Sequence, residues 1–198
     1  MSLLVTKPAP DFTATAVLAD NTFKDDFRLS DFRGRYVLLF FYPLNFTFVC
    51  PSEILAFNKA VEQFEDSNCQ LIGVSIDSHF SHLAWKNTPV NEGGIGRIRY
   101  PLVSDLNKSI SRDYGVLLDA GIALRGLFLI DREGVIRHQV VNDLPLGRNV
   151  NEALRILHAL QFTEKHGEVC PANWNKGEDA MVPTAEGVAA YLSAHADD

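Results

Sequence analysis

The amino-acid sequence predicts a layered α/β fold, and two observations carry that prediction. Short, continuous apolar runs at 36–42, 71–77 and 126–130 are typical of strands buried on both faces of a sheet. Between these runs, apolar residues recur at the three- and four-residue spacing of amphipathic helices. Because strands and helices alternate along the chain, we expect helices packed on a central sheet.

The first predicted helix begins close to Cys50, just after the apolar strand. Cys50 occupies the expected N-cap, and Pro51 the first helical position, where a missing N–H loses no hydrogen bond. Glu53 falls at the third helical position, so we expect a capping box with sulfur in place of a hydroxyl. The buried face of this helix is marked by apolar residues at helical spacing, namely Ile54, Phe57, Val61 and Phe64.

Later elements carry their own start and stop signals. Ser78 is expected to cap one helix, and Gly115 is expected to end another. After the run at 126–130, the sequence DREG predicts a hairpin turned at Glu133-Gly134.

The composition changes towards the C-terminus. Asn149 and Glu152 resemble a capping box that opens a long amphipathic helix. Beyond that helix, Gly, Pro and Asn are frequent and no apolar period is evident until a short helix predicted over 185–193. We therefore divide the chain into a domain at 1–165 and a C-terminal arm at 166–198, laid on the core or on a partner.

Charge and hydropathy exclude several classes of partner. Lys and Arg total 18 against 25 Asp and Glu, and no basic block is present, which argues against nucleic acid and anionic membranes. The N-terminal segment lacks the apolar core of a secretory signal, and no run approaches the ~18 apolar residues of a membrane span. We expect a cytoplasmic protein, whose cysteines are free, catalytic or transiently bonded.

Cys50 is the strongest candidate nucleophile of the three cysteines. The first turn of a helix presents unpaired N–H groups and a partial positive charge, and both favour a thiolate. The alternative is a buried cysteine that fills apolar space. Cys170, in the polar segment GEVCP, is expected to be accessible and suited to condensing with an oxidised Cys50, unless it is an incidental surface thiol. Cys69 opens the second strand and is expected to be structural.

Other polar residues give weaker signals. Arg125 either marks the surface end of the third apolar run or, if it lies beside Cys50, holds the thiolate and a polar substrate. No two cysteines have zinc-knuckle spacing, and His79 and His82 lack an evident third metal ligand. GGIG at 93–96 is too short for a dinucleotide fingerprint and predicts a loop.

With these residues in place, the sequence resembles the typical 2-Cys peroxiredoxins, a group that includes the alkyl hydroperoxide reductase peroxidase subunit and the thioredoxin peroxidases. PLNFTFVC at 43–50 fits the family motif Pro-x-x-x-Thr-x-x-Cys. RGLFLID, VNDLPLGR and FTEKHGEVCPANW follow in the family's order, so the resemblance covers nearly the whole chain. Asn45 stands where the family usually has Asp, a change expected to be mild because the loop backbone carries the contacts.

The resemblance implies a thioredoxin-like fold, in which helices flank a central mixed sheet and a C-terminal arm follows. It implies that Cys50 is the peroxidatic cysteine, with Pro43 and Thr47 as its loop partners. Arg125 matches the arginine that stabilises the thiolate and orients the peroxide. Two further charged residues match the family's supporting positions, namely Glu53 and Arg148.

The same resemblance implies the reaction partners. Cys170 matches the resolving cysteine, which in this family attacks from the other subunit of a homodimer, and five dimers commonly form a ring. The substrate is hydrogen peroxide or an organic hydroperoxide. Electrons come from thioredoxin or a dedicated disulfide reductase, and no metal or flavin is needed.

Three other functions stay open on the residues alone. A thiol-disulfide oxidoreductase is disfavoured because the chain has no Cys-x-x-Cys. A non-catalytic assembly or chaperone protein would also use an α/β core and an arm. A cysteine hydrolase would need a histidine beside Cys50, for which His79 and His138 are candidates.

Overall fold

The computed structural model of the chain describes residues 3–195, within which seven strands form one mixed sheet. The strands are β1 (Thr13–Val17), β2 (Phe23–Arg28), β3 (Tyr36–Phe41), β4 (Cys69–Ser75), β5 (Leu102–Ser104), β6 (Arg125–Ile130) and β7 (Ile136–Asn142). Their order across the sheet is β2-β1-β5-β4-β3-β6-β7. β3 runs parallel to β4 and antiparallel to β6, which confirms the predicted α/β fold with a mixed sheet.

Residues 3–195 also form six α-helices. They are α1 (Cys50–Lys59), α2 (Val61–Asp66), α3 (His79–Asn87), α4 (Ser109–Asp113), α5 (Val150–His166) and α6 (Ala185–Ala194). None of these helices combines the length and the apolar composition needed to cross a lipid bilayer.

All six residues of β3 are buried because both faces of this inner strand are covered. Val37, Leu39 and Phe41 belong to an apolar cluster on one face. Phe40 points to the opposite face and stacks on Phe57 of α1, with 4.6 Å between ring centroids. Side chains alternate between the two faces of a strand, so covering both faces explains the continuous apolar run.

The single helix predicted after Cys50 is divided in two at Ala60. The N–H of Ala60 bonds to the carbonyls of both Ala56 and Phe57, and the backbone there leaves the helical conformation (φ −94°, ψ 2°). The predicted apolar positions are nonetheless all buried, on α1 at Ile54 and Phe57 and on α2 at Val61 and Phe64. The apolar period therefore identified the buried face but not the break.

Most predicted end signals are confirmed. Ser78 caps α3, where its hydroxyl accepts a hydrogen bond from the N–H of Ser81. Gly115 follows α4 with a φ of 67°, a conformation that ends a helix at low cost only with glycine. The segment 93–96 is a loop, as predicted.

The turn between β6 and β7 is the predicted hairpin. One oxygen of Asp131, Oδ1, accepts hydrogen bonds from the N–H groups of Glu133 and Val135 at 3.1 and 2.8 Å. Gly134 adopts a φ of 80°, in the left-handed region that favours glycine. Beyond the turn the ladder shifts register once, between Leu129 and Ile130, and Arg125 then pairs with Asn142 at the far end of the hairpin.

The chain divides into two compact units, Met1–Val150 and a second that begins at Asn151. The first contains the whole sheet, and the second contains nearly all of α5 together with α6. Within the second unit, the ring of Trp174 lies 5.0 Å from that of Phe162, and its carbonyl accepts a hydrogen bond from Arg155. These contacts hold the segment after α5 against that helix. The boundary predicted after residue 165 stays a prediction.

Cys69 lies in β4 and is buried, in agreement with a structural residue. Burial raises the pKa of its thiol to about 12, so almost no reactive thiolate forms near pH 8. We predict that iodoacetamide leaves Cys69 of the native protein unmodified while the half-buried Cys170 reacts, as measured by peptide mass mapping. In urea both should react. Native Cys69 that is labelled as fast as Cys170 would contradict this burial.

Candidate active site

Cys50 is the first residue of α1 rather than its N-cap. Val49 is the N-cap, and its carbonyl accepts the N–H of Glu53 at 3.3 Å; no described side chain caps this end. The predicted sulfur capping box is therefore wrong, because the Glu53 carboxylate bonds to Arg125 and Arg148 instead of the start of the helix. Cys50 still lies in the first turn, where unpaired N–H groups favour a thiolate.

The guanidinium of Arg125 contacts the sulfur of Cys50. Its Nη1 lies 3.4 Å from Sγ, and both residues are almost fully buried. Arg125 is the first residue of β6, and β6 pairs with β3, whose chain leads into the loop before Cys50. The Nε of Arg125 also donates to the carbonyl of Leu144 at 2.7 Å, which fixes the plane of the guanidinium. Of the two interpretations of Arg125, the one that places it beside Cys50 is correct.

Glu53 joins two arginines behind the sulfur. Its Oε2 accepts from Arg125 Nη1 at 2.6 Å and from Arg148 Nη2 at 3.0 Å. Its Oε1 accepts from the backbone N–H and the Nε of Arg148 at 2.9 and 2.8 Å. The side chains of these three residues are each at most 4% exposed, so water contributes almost nothing to their solvation.

This buried cluster contains one more positive charge than negative. Burial lowers the pKa of Arg148 while Glu53 opposes that change, and a guanidinium keeps its proton at neutral pH. Two guanidinium groups and one carboxylate leave a net charge of about +1 on side chains that are each at most 4% exposed. An unmatched buried charge is costly, and a thiolate on Cys50 would balance it. The cluster therefore favours the ionised form of the sulfur.

Cys50 lies in a pocket of about 460 Å³. The described residues that line the pocket are Pro43, Leu44, Thr47, Phe48, Val49, Cys50, Ile122, Arg125, Leu144 and Pro145. The polar side chains among them belong to Thr47, Cys50 and Arg125, so a few polar groups converge within an otherwise apolar wall. The hydroxyl of Thr47 donates to the carbonyl of Leu44 at 2.8 Å, which leaves its oxygen able to accept a hydrogen bond.

Six of the seven residues predicted for the site therefore lie in one region, and the seventh, Cys170, belongs to the second compact unit. Cys170 is half-buried, with its sulfur 3.6 Å from the carbonyl of Ala159 and 3.8 Å from the Thr163 hydroxyl. All three cysteines are free thiols.

Sequence reasoning underestimated Asn45. The loop backbone does carry a contact, from the N–H of Asn45 to Asp77, but the expectation that the backbone carries the contacts is incomplete. The Asn45 side chain is also buried and bonds to Tyr42, Ser81 and His82. The signal was present in the sequence, since a lone amide in the apolar stretch YPLNFTFV needs buried polar partners. The carbonyl of Leu144, which orients Arg125, has no such signal because any residue supplies one.

Neither His79 nor His138, the candidates for the base of a cysteine hydrolase, lines the Cys50 pocket. No histidine is present among the described residues that line the Cys50 pocket. His82 is buried and bonds through Nε2 to the carbonyl of Val103, and burial lowers its pKa to about 4. Within residues 3–195, no group of three or more His, Cys, Asp or Glu is arranged to hold a metal ion.

Replacing Glu53 by glutamine tests the charge cluster. Glu53→Gln removes the carboxylate bonded to both arginines and turns an amide N–H group towards a guanidinium. We expect the free energy of unfolding in urea to fall by ~3–5 kcal/mol, the usual loss when one partner of a buried ion pair is removed. Glu62→Gln is the matched control, since Glu62 pairs with Arg99 on the surface. It should change the free energy of unfolding by less than about 1 kcal/mol. Similar losses in the two variants would contradict the account.

Comparison with known proteins agrees with this geometry. A model described as the AhpC/TSA family matches residues 5–139, and one described as the C-terminal domain of 1-Cys peroxiredoxin matches 159–194. Peroxiredoxin-1 of Gallus gallus is 57% identical over 188 residues, which is 94% of each chain.

Solved structures extend the likeness to the backbone. The reduced 2-Cys peroxiredoxin of Plasmodium vivax gives a TM-score of 0.95 at 54% identity, covering 97% of this chain and 100% of that one. Plasmodium yoelii Prx1a, modified at the N-terminus and forming an artifactual octamer, gives 0.77 at 56% identity, covering 85% of this chain and 98% of that one. The predicted thioredoxin-like peroxiredoxin fold is confirmed. Matched by family model, by sequence and by backbone, the chain belongs to the AhpC/TSA family and is a peroxiredoxin, an enzyme that reduces peroxides with a thiol.

Proposed function

We propose that Cys50 reduces hydrogen peroxide and organic hydroperoxides and that Cys170 of a second subunit resolves the product as an intersubunit disulfide. The observation that carries this proposal is the Arg125 guanidinium 3.4 Å from the Cys50 sulfur, inside a pocket with an otherwise apolar wall. A fixed cation at that distance stabilises the thiolate before reaction and the charge on the departing oxygen during it.

The first step is attack of the Cys50 thiolate on the terminal peroxide oxygen. The S–O bond forms as the O–O bond breaks, and the departing alkoxide or hydroxide takes up a proton to leave as an alcohol or water. The sulfur becomes a sulfenic acid and supplies the two electrons that reduce the peroxide. The hydroxyl of Thr47 donates its hydrogen bond to the carbonyl of Leu44. Its oxygen can therefore accept a hydrogen bond from the peroxide O–H and direct the substrate towards the sulfur.

The pocket wall supports a range of substrates. Leu44, Val49, Ile122 and Leu144 present apolar surface beside the sulfur, and Phe48 at 96% exposure adds an aromatic ring open to solvent. Organic hydroperoxides gain from covering such surface, whereas hydrogen peroxide uses only the polar groups. The volume of about 460 Å³ accommodates either.

Resolution requires the first turn of α1 to unwind. Cys50 is 1% exposed, so another thiol has no access to its sulfur while the helix is intact. Local opening exposes the sulfenic acid, Cys170 attacks it, and the disulfide forms with release of water. A dithiol protein, thioredoxin or a dedicated disulfide reductase, then reduces the disulfide by exchange.

The proposed working unit is a homodimer, and five such dimers form a ring. An intersubunit disulfide needs at least two chains, because its two cysteines belong to different subunits. Each homodimer then holds two Cys50–Cys170 pairs. Plasmodium yoelii Prx1a, modified at its N-terminus, forms an artifactual octamer. That assembly supports the proposal that proteins of this kind can associate beyond the dimer.

Oxidation with hydrogen peroxide tests the roles of the three cysteines. The reduced protein mixed with an equimolar amount of peroxide should lose thiols rapidly and give a disulfide-linked dimer on a non-reducing gel. Cys50→Ser should abolish both results. Cys170→Ser should still consume one peroxide per chain but give no linked dimer, because the sulfenic acid is not resolved.

Cys69→Ser is the matched control for these variants. It removes the third thiol, which is buried in β4, and should leave peroxide consumption and dimer linkage as in the wild type. The proposal fails if the wild type loses thiols no faster than free cysteine, or if linked dimers persist after Cys170→Ser.

A further inference from the structure

The loop at 43–47, between β3 and α1, is fastened to neighbouring elements through Asn45. The N–H of Asn45 donates to Asp77 Oδ2 at 2.9 Å. The next residue, Phe46, adopts a left-handed φ of 54°, and its ring lies 5.7 Å from that of Trp85 in α3. A bulky residue keeps that backbone conformation only where its surroundings hold it. The shape of the loop therefore depends on these attachments.

A hydrogen bond fixes the tautomer of the neutral ring of His82, an α3 residue that Asn45 contacts. Its Nε2 lies 3.1 Å from the carbonyl oxygen of Val103, which can only accept, so Nε2 carries a proton. In the neutral ring, Nδ1 then offers only a lone pair. Asn45 Nδ2, at 3.0 Å, is a closer donor to this lone pair than the Tyr42 hydroxyl at 3.3 Å.

The Asn45 carboxamide supplies the donor that His82 Nδ1 needs, and both its nitrogen and its oxygen have further hydrogen-bond partners. Besides the contact with His82, Nδ2 donates to the Ser81 hydroxyl at 2.9 Å, and Oδ1 accepts from the Tyr42 hydroxyl at 3.0 Å. Each polar atom of the side chain thus has a partner of the opposite kind, and breaking one such buried contact leaves another group unsatisfied. A carboxylate has no N–H for His82 Nδ1, so aspartate is not equivalent here.

We propose that Asn45 is a positioning residue for peroxide reduction, whose carboxamide binds the neutral ring of His82 and thereby holds Pro43 and Thr47 at the Cys50 pocket. The inference rests on the proposed function, because Pro43 and Thr47 line the pocket in which Cys50 is proposed to react. It also gives His82 a role although the ring lies outside that pocket.

The surroundings of His82 support a neutral ring. Burial lowers its pKa from 6.5 to about 4; the Asp77 carboxylate favours the imidazolium, and His79 and Lys86 oppose it. Tyr42, the residue that follows β3, faces the ring, and burial raises the pKa of its phenol, which stays protonated. The pKa of His82 is depressed in the folded protein. The stability that the neutral ring gives to the folded state is therefore complete above about pH 6.5 and is lost as the pH falls towards 4.

The direct test measures the rate of Cys50 oxidation by hydrogen peroxide from about pH 5 to 8 in the full-length protein. In Asn45→Asp, the new carboxylate faces His82 Nδ1 and raises its pKa. We expect a near wild-type rate where His82 is protonated and pairs with the carboxylate. Where His82 is neutral, its lone pair opposes the carboxylate and the loop shifts, so we expect the rate to fall on the order of tenfold.

Three companion variants identify the cause. Asn87→Asp makes the same charge change at an exposed residue of α3, and its rate of Cys50 oxidation should equal that of the wild type at every pH. His82→Asn added to Asn45→Asp supplies an uncharged N–H donor and should remove the new pH dependence. Asn45→Ala removes the carboxamide without adding charge and should slow oxidation on the order of tenfold at every pH.

The inference is overturned if Asn45→Asp follows the wild type at every pH, if its pH dependence survives His82→Asn, or if Asn45→Ala reacts as fast as the wild type. The last variant decides the matter if Asn45→Asp does not fold. Slow oxidation of the wild type itself would instead refute the proposed function.

Discussion

The buried carboxylate of Glu53 holds together the elements that make the pocket. Glu53 lies three residues after Cys50 in α1, and its oxygens bind Arg125 at the start of β6 and Arg148 before α5. Arg148 in turn donates to main-chain carbonyls of β3 and β6. One charge cluster therefore links the helix that carries the sulfur to the two strands beside it, and the position of the sulfur follows from these bonds.

The same cluster explains why activation and confinement of Cys50 occur together. A guanidinium favours the thiolate strongly only where water is excluded, and excluding water means burying the sulfur as well. Cys50 is 1% exposed, and a small peroxide reaches it through the pocket. A protein thiol reaches the sulfur only after the first turn of α1 unwinds. The proposed cycle thus alternates between a packed state that reacts with peroxide and an opened state that forms the disulfide.

Local sequence patterns predicted the strands buried on both faces and, through its turn, β7, but they missed β2 and β5. β3, β4 and β6 are continuous apolar runs, whereas β2 buries only Phe27 and β5 has three residues, too few for a pattern. The placement of Arg125 beside Cys50 depends on β6 pairing with β3, which local patterns do not encode and family resemblance supplied. The capping box failed because Glu53 has stronger partners distant in sequence, the two arginines.

The central claim is that the unmatched charge of Arg125 favours the Cys50 thiolate, and alkylation by iodoacetamide tests it without any contribution from peroxide orientation. In a Cys170→Ser background at neutral pH, Arg125→Met should lower the rate of Cys50 alkylation by about tenfold or more, because the thiolate is the reacting form. Arg137→Met, which removes an arginine paired with Asp131 in the hairpin, should leave the rate unchanged. Equal rates in Arg125→Met and its parent would contradict the account.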